Sequence, residues 1–231
     1  MSNTPAWLDQ NTPHDDDRDA AQRAGLAQLF GRPGVSVLDL GCGTGRTLIP
    51  LVEAGAIVTG VDTDSAALET CTNALHAAGM SADLRELDFM APWPALGGPF
   101  DAIMCLGNTW MTVLDIDDAI ATLGQVRRGL RENGVFIIDD LAHDFFPELT
   151  EGNWQSGISE DGDLQMVWAT AEPIFALRPR AAIDPDIWTP KATDQRFRLW
   201  TIDLLTAVAR LAGFSDPQRR ADDGLLVFSP A

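Results

Sequence analysis

The feature that most constrains the fold is a glycine-rich loop between a short apolar segment and a helix. Residues 35–40 read VSVLDL, a run that is apolar on both faces and typical of a buried parallel strand. Gly41, Gly43 and Gly45 follow, and glycine allows both positive φ angles and close approach of a ligand to the backbone. A strand, a tight glycine turn and a helix N-terminus together predict a nucleotide-binding platform at the carboxyl edge of a parallel sheet.

Alternating strand and helix patterns surround this loop. Further strands are predicted at 56–61, 82–87, 100–106 and 135–139, and helices at 20–30, 46–54, 65–78 and 117–131, with a turn at Asn133-Gly134. This alternation implies right-handed crossovers and a sheet covered by helices on both faces. The predicted fold class is therefore α/β, a Rossmann-like, doubly wound and mostly parallel sheet.

The alternation stops after Asp140. Residues 141–195 are predicted to be an inserted lid of loop and antiparallel strand, placed before a strand at 196–200, the last helix at 201–212 and a strand at 225–228. Residues 1–19 are polar and predict an N-terminal arm, so that 20–231 forms one domain. Four tryptophans are expected to pack the insert onto the sheet: Trp154, Trp168, Trp188 and Trp200.

Composition excludes several classes of function. The chain of 231 residues carries 16 basic and 34 acidic side chains, a net charge of −18 that disfavours nucleic acid as a partner. The three cysteines are too few and too widely spaced for a disulfide framework or a cysteine zinc site, and no metal is expected. The absence of a long apolar run and of a signal sequence at MSNTPAWLDQ predicts a cytoplasmic protein without membrane contact.

The residues around the glycine loop limit which ligand it can bind. Asp62 ends the second predicted strand 21 residues after Gly41, the spacing at which a carboxylate accepts the ribose hydroxyls. A dinucleotide would place its pyrophosphate on the helix N-terminus, but Arg46 stands where a small residue is needed and Asp39 lies beneath the loop. S-adenosylmethionine carries a sulfonium and an ammonium group instead of phosphates. The residue chemistry therefore favours it over NAD.

Five segments resemble motifs of the class I S-adenosylmethionine-dependent methyltransferases. They are VLDLGCGTG at 37–45, VTGVD at 58–62, LDFMAPWP at 87–94, FDAIMCLGNTW at 100–110 and RLWTIDLLTAVARLAGF at 198–214. The first motif with its spaced acid is specific, and the later ones are supportive. The run CLGNT is also similar to glycine and sarcosine N-methyltransferases, which hints at a small amine as the methyl acceptor.

The resemblance implies a set of cofactor contacts. Asp62 would bind the ribose, Asp88 would bond the adenine amino group, and Phe89 would pack near the base. Thr63 is expected to edge the adenine pocket and Asp39 to lie near the cofactor ammonium. The full set of predicted cofactor-binding residues is Asp39, Gly41, Cys42, Gly43, Gly45, Asp62, Thr63, Asp88, Phe89 and Leu106.

The acceptor site is less well defined by the sequence. Asn108 and Trp110 follow the fourth predicted strand and His143 follows the fifth, so all are candidates for substrate binding. His143 and Asn108 are weak candidates for catalysis, and an ordinary loop histidine is the alternative for His143. Four arginines could hold an acceptor carboxylate, although solvated strand positions are the favoured interpretation: Arg178, Arg180, Arg196 and Arg198.

Together these features predict a methyltransferase that acts on a small molecule as a monomer or homodimer. N-methylation is slightly favoured over O-methylation, because an amine needs no strong base and the sequence shows no convincing His-Asp or metal cluster. Two alternatives remain open. One is a non-catalytic regulator that binds S-adenosylmethionine, and the other is an NAD-dependent oxidoreductase.

Overall fold

The computed structural model describes residues 16–140, 157–159, 162–220 and 224–231. The helices are α1 (Asp16–Phe30), α2 (Leu48–Glu53), α3 (Ser65–Ala77), α4 (Ile116–Gly129) and α5 (Ile202–Leu211). The strands are β1 (Ser36–Leu40), β2 (Ile57–Asp62), β3 (Asp83–Glu86), β4 (Phe100–Cys105), β5 (Leu130–Asp139), β6 (Leu164–Trp168), β7 (Ile174–Pro179), β8 (Arg196–Arg198), β9 (Gln218–Arg220) and β10 (Leu225–Phe228). Within these ranges no helix is long and apolar enough to cross a membrane.

The main sheet is doubly wound, which confirms the predicted fold class. Its seven strands lie in the order β3-β2-β1-β4-β5-β10-β9. The first five are parallel, whereas β10 pairs antiparallel with both β5 and β9. The chain reverses its direction of winding between β1 and β4, and ligands of such sheets bind at that switch point. The loops after β1 and β4 therefore form the expected site.

Both faces of the sheet are buried, as the apolar strand sequences predict. Along β1, Leu38 and Leu40 contribute to the hydrophobic cluster on one face, while Val37 belongs to the cluster on the other. All three side chains are at 0% exposure. Alternate residues of a strand point to opposite faces, so a central strand covered on both sides must be apolar at every position but the functional ones.

Some element boundaries differ from the sequence predictions. Helix α4 ends at Gly129 and β5 begins at Leu130, so the predicted turn at Asn133-Gly134 lies inside a strand. A Cβ atom at Gly134 would stand 2.9 Å from the Phe100 carbonyl oxygen, which shows that the glycine is needed for close strand pairing. The polar β9 was not predicted, because its strand conformation comes from pairing with β10.

A separate antiparallel sheet of β6, β7 and β8 follows the main sheet in sequence. Phe175 and Phe197 lie at its centre and pack on Met111, which belongs to the 3₁₀ helix after β4. The small sheet is thereby seated at the carboxyl edge of the main sheet. The tryptophan prediction is correct in part. Trp168 packs on the small-sheet cluster and Trp200 is in the main core, but Trp188 is 41% exposed. Trp154 lies outside the described residues.

Candidate active site

The three loop glycines have different reasons to be glycine. Their φ angles are 73° at Gly41, 51° at Gly43 and 93° at Gly45, all in the region that L side chains rarely adopt. A Cβ at Gly41 would lie 2.4 Å from Thr109 Cγ2, and one at Gly45 would lie 2.6 Å from Cys71 Sγ. A Cβ at Gly43 would meet nothing within 4 Å. Gly43 therefore faces open space, whereas the other two are packed against the protein.

Asp62 is held against this loop by the backbone. Its Oδ2 atom accepts a hydrogen bond of 2.8 Å from Gly43 N, and its Oδ1 atom accepts one of 2.9 Å from Asp64 N. Each carboxylate oxygen keeps a second lone pair for another donor. The structure thus brings together the glycine turn and the acidic end of β2, which the sequence spacing predicted to be neighbours.

Cys42 and Thr63 lie beside these groups. The Cys42 side chain is buried, and a Cβ atom at Gly60 would approach its Sγ atom to 2.8 Å. Burial, with Asp39 and Asp62 nearby, raises the pKa of the Cys42 thiol far above its usual value. It is therefore a packing residue rather than a nucleophile. Thr63 follows Asp62 and is partly exposed.

Asp88 and Phe89 reach the same edge. Leu87 N donates a hydrogen bond of 2.9 Å to the Asp62 carbonyl oxygen, which places the segment after β3 next to β2. Asp88 is partly exposed, and its Oδ1 atom accepts from Met90 N at 2.9 Å. Phe89 is buried in the main core at 7% exposure. The segment therefore offers one accessible carboxylate beside the ribose-binding candidate.

The segment after β4 turns sharply at Asn108. Leu106 is buried, and Asn108 adopts a left-handed conformation with φ 62° and ψ 10° before the 3₁₀ helix Thr109–Thr112. Asn108 N donates a hydrogen bond of 2.9 Å to Asp139 Oδ2 at the end of β5. This bond joins the carboxyl ends of two neighbouring strands at the predicted acceptor site.

A pocket opens at this point. It is small, with room for about one water molecule inside its open mouth, and it is lined by Asn108, Trp110, Met111, Ile138, Asp139 and Trp200. Its walls come from the ends of β4 and β5 and from the segment after β8. Thr109, between two of the lining residues, contacts the glycine loop at Gly41. The pocket therefore adjoins the predicted cofactor loop.

Asp139 is a pocket residue that the sequence analysis did not select. Its position as the last residue of the fifth strand, at the carboxyl edge, was the available signal. The neighbouring Asp140 points elsewhere: it is 2% exposed and forms an ion pair with Arg219 of β9. His143, a predicted substrate and catalytic candidate, lies outside the described residues. Among the residues that are described, no cluster of His, Cys, Asp or Glu could hold a metal ion.

Two of the four arginines were assigned wrongly to solvated positions. Arg180 and Arg196 are exposed, but Arg178 and Arg198 are buried at 2% and 8% exposure. Arg178 Nη2 lies 2.7 Å from Asp194 Oδ2, and the guanidinium also donates to backbone carbonyls, from Nη1 to Ile187 and from Nη2 to Thr189. Although partial burial opposes it, hydrogen bonding from Arg178 and from the Lys191 amide lowers the pKa of Asp194. Arg178 and Asp194 therefore form a structural ion pair of the small sheet.

Known proteins are similar in sequence to part of this chain. Residues 37–134 match a family model described as a methyltransferase domain. Human glycine N-methyltransferase is 33% identical over 142 residues, which are 55% of this chain and 48% of that protein. A ubiquinone biosynthesis O-methyltransferase of Pseudomonas aeruginosa is 34% identical over 85 residues, 37% of this chain and 34% of that protein. The chain thus spans less than half the length of these curated relatives.

Solved structures show the same fold over nearly the whole chain. A protein from Pyrococcus horikoshii superposes with a TM-score of 0.67 at 19% identity, covering 96% of this chain and 93% of that one. The domain match covers the glycine loop, Asp62, Asp88 and the segment after β4. The chain is therefore similar to methyltransferases in sequence over residues 37–134 and shares its fold with solved structures over nearly its whole length.

The protein carries a buried carboxyl group beneath its glycine loop. Asp39 is 1% exposed, and Thr47 Oγ1 donates a hydrogen bond of 2.9 Å to its Oδ2 atom. Burial raises the pKa of Asp39 from 3.8 to about 6, with Thr47 and Arg46 opposing the rise and the charges of Asp62 and Asp139 adding to it. The ionised form is thus costly in the free protein, and a cationic ligand nearby would lower that cost.

This pKa predicts that the protein loses stability as the pH rises. Between pH 3.8 and about 6 the folded state binds more protons at Asp39 than the unfolded state, so the free energy of unfolding falls with pH by a total of about 3 kcal/mol. Asp39→Asn keeps the acceptor for Thr47 and removes the titration. Urea unfolding from pH 5 to 7.5 measures the free energy of unfolding of both proteins. The variant should become more stable relative to the wild type as the pH rises to 6.5. A constant difference between them would contradict this account.

Helix α1 is tied to the site by a buried glutamine. Gln22 Nε2 donates a hydrogen bond of 2.9 Å to Asp139 Oδ1, while Gln22 Oε1 accepts one of 3.0 Å from Arg46 Nη1. Gln22 is 5% exposed, so these bonds are shielded from water. One side chain therefore links the loop after β1 to the end of β5. The sequence pattern of α1 did not reveal this role.

Replacing Gln22 with leucine should loosen this link. The side chains have similar volumes, but leucine removes one partner from Asp139 and one from Arg46, and the free energy of unfolding is expected to fall by about 2 kcal/mol. Gln28→Leu, at an exposed position of the same helix, is the matched control and should change it by less than about 0.5 kcal/mol. Equal effects of the two substitutions in urea unfolding would show that the link contributes nothing.

Proposed function

We propose that this protein is a methyltransferase that transfers the methyl group of S-adenosylmethionine to a nitrogen atom of a small molecule. The observation that carries the proposal is the junction of two spaces: the open face of Gly43 beside Asp62, and the pocket at Asn108 and Trp110. Thr109 contacts Gly41 and connects the two spaces. An acceptor in the pocket would therefore lie next to a cofactor on the loop.

The loop chemistry supports the cofactor contacts. Asp62 holds the Gly43 amide with one oxygen and the Asp64 amide with the other, and the remaining lone pairs suit the two ribose hydroxyls. The buried Asp39 and the half-buried Asp62 make the loop acidic, which fits a ligand with a sulfonium and an ammonium group. We assign the adenine to the side of Thr63, Asp88 and Phe89, and the rest of the cofactor to backbone from the loop and Leu106.

The acceptor pocket favours an amine. Asp139 is the titratable side chain among the six lining residues, and its carboxylate can hold an ammonium group and attract the proton that leaves it. A hydroxyl acceptor would need a stronger base than a carboxylate. The indoles of Trp110 and Trp200 form apolar walls that exclude water, and an indole face also attracts a cationic amine.

When bound, the cofactor supplies an activated methyl group, and the protein supplies position. The loop orients the donor, the pocket orients the acceptor, and removal of water from both increases the time that the reacting atoms spend aligned. We propose that residues 141–195, with the N-terminal arm 1–19, form the lid that selects the acceptor for the domain 20–231. The packing of the small sheet on Met111 supports this role.

Methyl-transfer assays test the proposal. The protein is incubated with methyl-labelled S-adenosylmethionine and matched sets of small amines, alcohols and phenols, and both S-adenosylhomocysteine and labelled products are quantified. Label is expected on nitrogen, and label on oxygen alone would overturn the N-methylation proposal. Binding of the cofactor by calorimetry without any transfer would support the alternative of a non-catalytic regulator.

A further inference from the structure

Arg198 is a buried cation. The side chain is 8% exposed, and its Nε atom donates to the Leu114 carbonyl oxygen. Among the residues that the structure describes, no carboxylate pairs with it, unlike Arg178, which pairs with Asp194. A guanidinium has five N–H donors, and a buried one without a counter-ion is costly. The position is therefore suited to an anionic ligand.

Arg198 lies next to Trp200, which lines the acceptor pocket, while Arg198 itself is not a lining residue. Its guanidinium carbon is 5.7 Å from the ring centroid of Trp200, a pocket residue. Trp200 Nε1 donates a hydrogen bond of 3.1 Å to the carbonyl oxygen of Val113, the residue before the Arg198 partner Leu114. Both side chains are thus anchored to the segment that directly follows the 3₁₀ helix carrying Trp110. This anchoring places the unpaired charge beside the pocket.

The pocket wall itself contains a second buried donor. Trp110 is 4% exposed, and its indole Nε1 atom has no hydrogen-bond partner among the described residues. Its ring lies 6.0 Å from that of Trp200, between centroids. Buried indole N–H groups usually find an acceptor in the folded protein. The wall therefore has donors in excess, while Asp139 contributes the opposite charge to the pocket.

We propose that the methyl acceptor carries a carboxylate as well as its amine, and that Arg198 binds this carboxylate. This proposal rests on the proposed function. The guanidinium can offer two parallel N–H groups, the geometry that a carboxylate matches. Asp139 then faces the amine, so the pocket distinguishes the two ends of an amino-acid-like molecule. A phosphate dianion is a poorer match, because the chain has a net charge of −18 and the pocket holds Asp139.

Thermal unfolding with matched small ligands tests this proposal. Small carboxylic acids from acetate to indole-3-acetate are compared with their amides at constant ionic strength, with and without S-adenosylhomocysteine. At least one acid should raise the wild-type midpoint by about 3 °C at ten times its Kd, and its amide should not. Arg198→Met should abolish that shift and Arg198→Lys should weaken it. Arg196→Met, on the same strand but exposed, should retain it.

The variants also separate ligand binding from a structural role. Without ligand, Arg198→Met should unfold at or above the wild-type temperature, because it removes a buried charge that lacks a partner. The proposal is overturned if no acid exceeds its amide, if Arg198→Met keeps the shift, or if inorganic phosphate alone produces it. Calorimetric titration with S-adenosylhomocysteine tests the proposed function separately. If S-adenosylhomocysteine does not bind, the proposed function is contradicted, while the comparison of acids with amides still decides the role of Arg198.

Discussion

Gly43→Val is expected to abolish binding of S-adenosylmethionine while the protein remains folded. A Cβ atom at this position would meet no protein atom within 4 Å, so valine projects into the space that we assign to the cofactor. The backbone at φ 51° adds strain of about 1 to 2 kcal/mol for a residue with a side chain. Calorimetric titration should show no measurable heat of cofactor binding.

Gly79→Val is the matched control for this strain. Gly79 has φ 69°, and a Cβ atom there also meets nothing within 4 Å. It follows α3, so it lies at the amino edge of the sheet, away from the cofactor loop. The control should lose similar stability in urea unfolding and keep full cofactor affinity. Undiminished binding by Gly43→Val, or equal loss in both variants, would refute the placement of the cofactor on this loop.

Asp62→Ala should weaken cofactor binding at least about 100-fold. The substitution removes the acceptor for the Gly43 amide and the carboxylate that we assign to the ribose hydroxyls, and a hydrogen bond to a charged group contributes about 1.5 to 3 kcal/mol. Asp62→Asn keeps one oxygen acceptor and should lose less affinity than the alanine variant. Calorimetry with S-adenosylmethionine and S-adenosylhomocysteine measures both.

Asp83→Ala is the control for loss of a carboxylate. Asp83 is exposed at the start of β3 and forms a surface ion pair with Arg85, so its removal should leave cofactor affinity unchanged. Because both substitutions change the net charge equally, a difference between them cannot come from the overall charge of the protein. Similar affinities of Asp62→Ala and Asp83→Ala would contradict the ribose assignment.

The candidate site was predictable where it depends on local sequence. Short motifs at strand ends predicted the glycine turn, Asp62 and the segment at Asn108. Parallel strands bring these ends to one edge of the sheet. Gln22 was not predictable in this way, and for Arg198 the sequence raised carboxylate binding but favoured a solvated position. Each acquires its role from partners distant in sequence, such as Asp139 for Gln22 and Leu114 for Arg198.

The sequence by itself was sufficient to predict the doubly wound sheet and the glycine loop after β1, and to show a resemblance to methyltransferases, because backbone conformation and strand burial are encoded by neighbouring residues. Only the folded chain showed which arginines are buried, that Asp139 rather than Asp140 lines the pocket, and that β9 exists. Burial, charge pairing and edge-strand pairing are set by whatever surface packs against a residue, and for these residues that surface comes from remote parts of the chain.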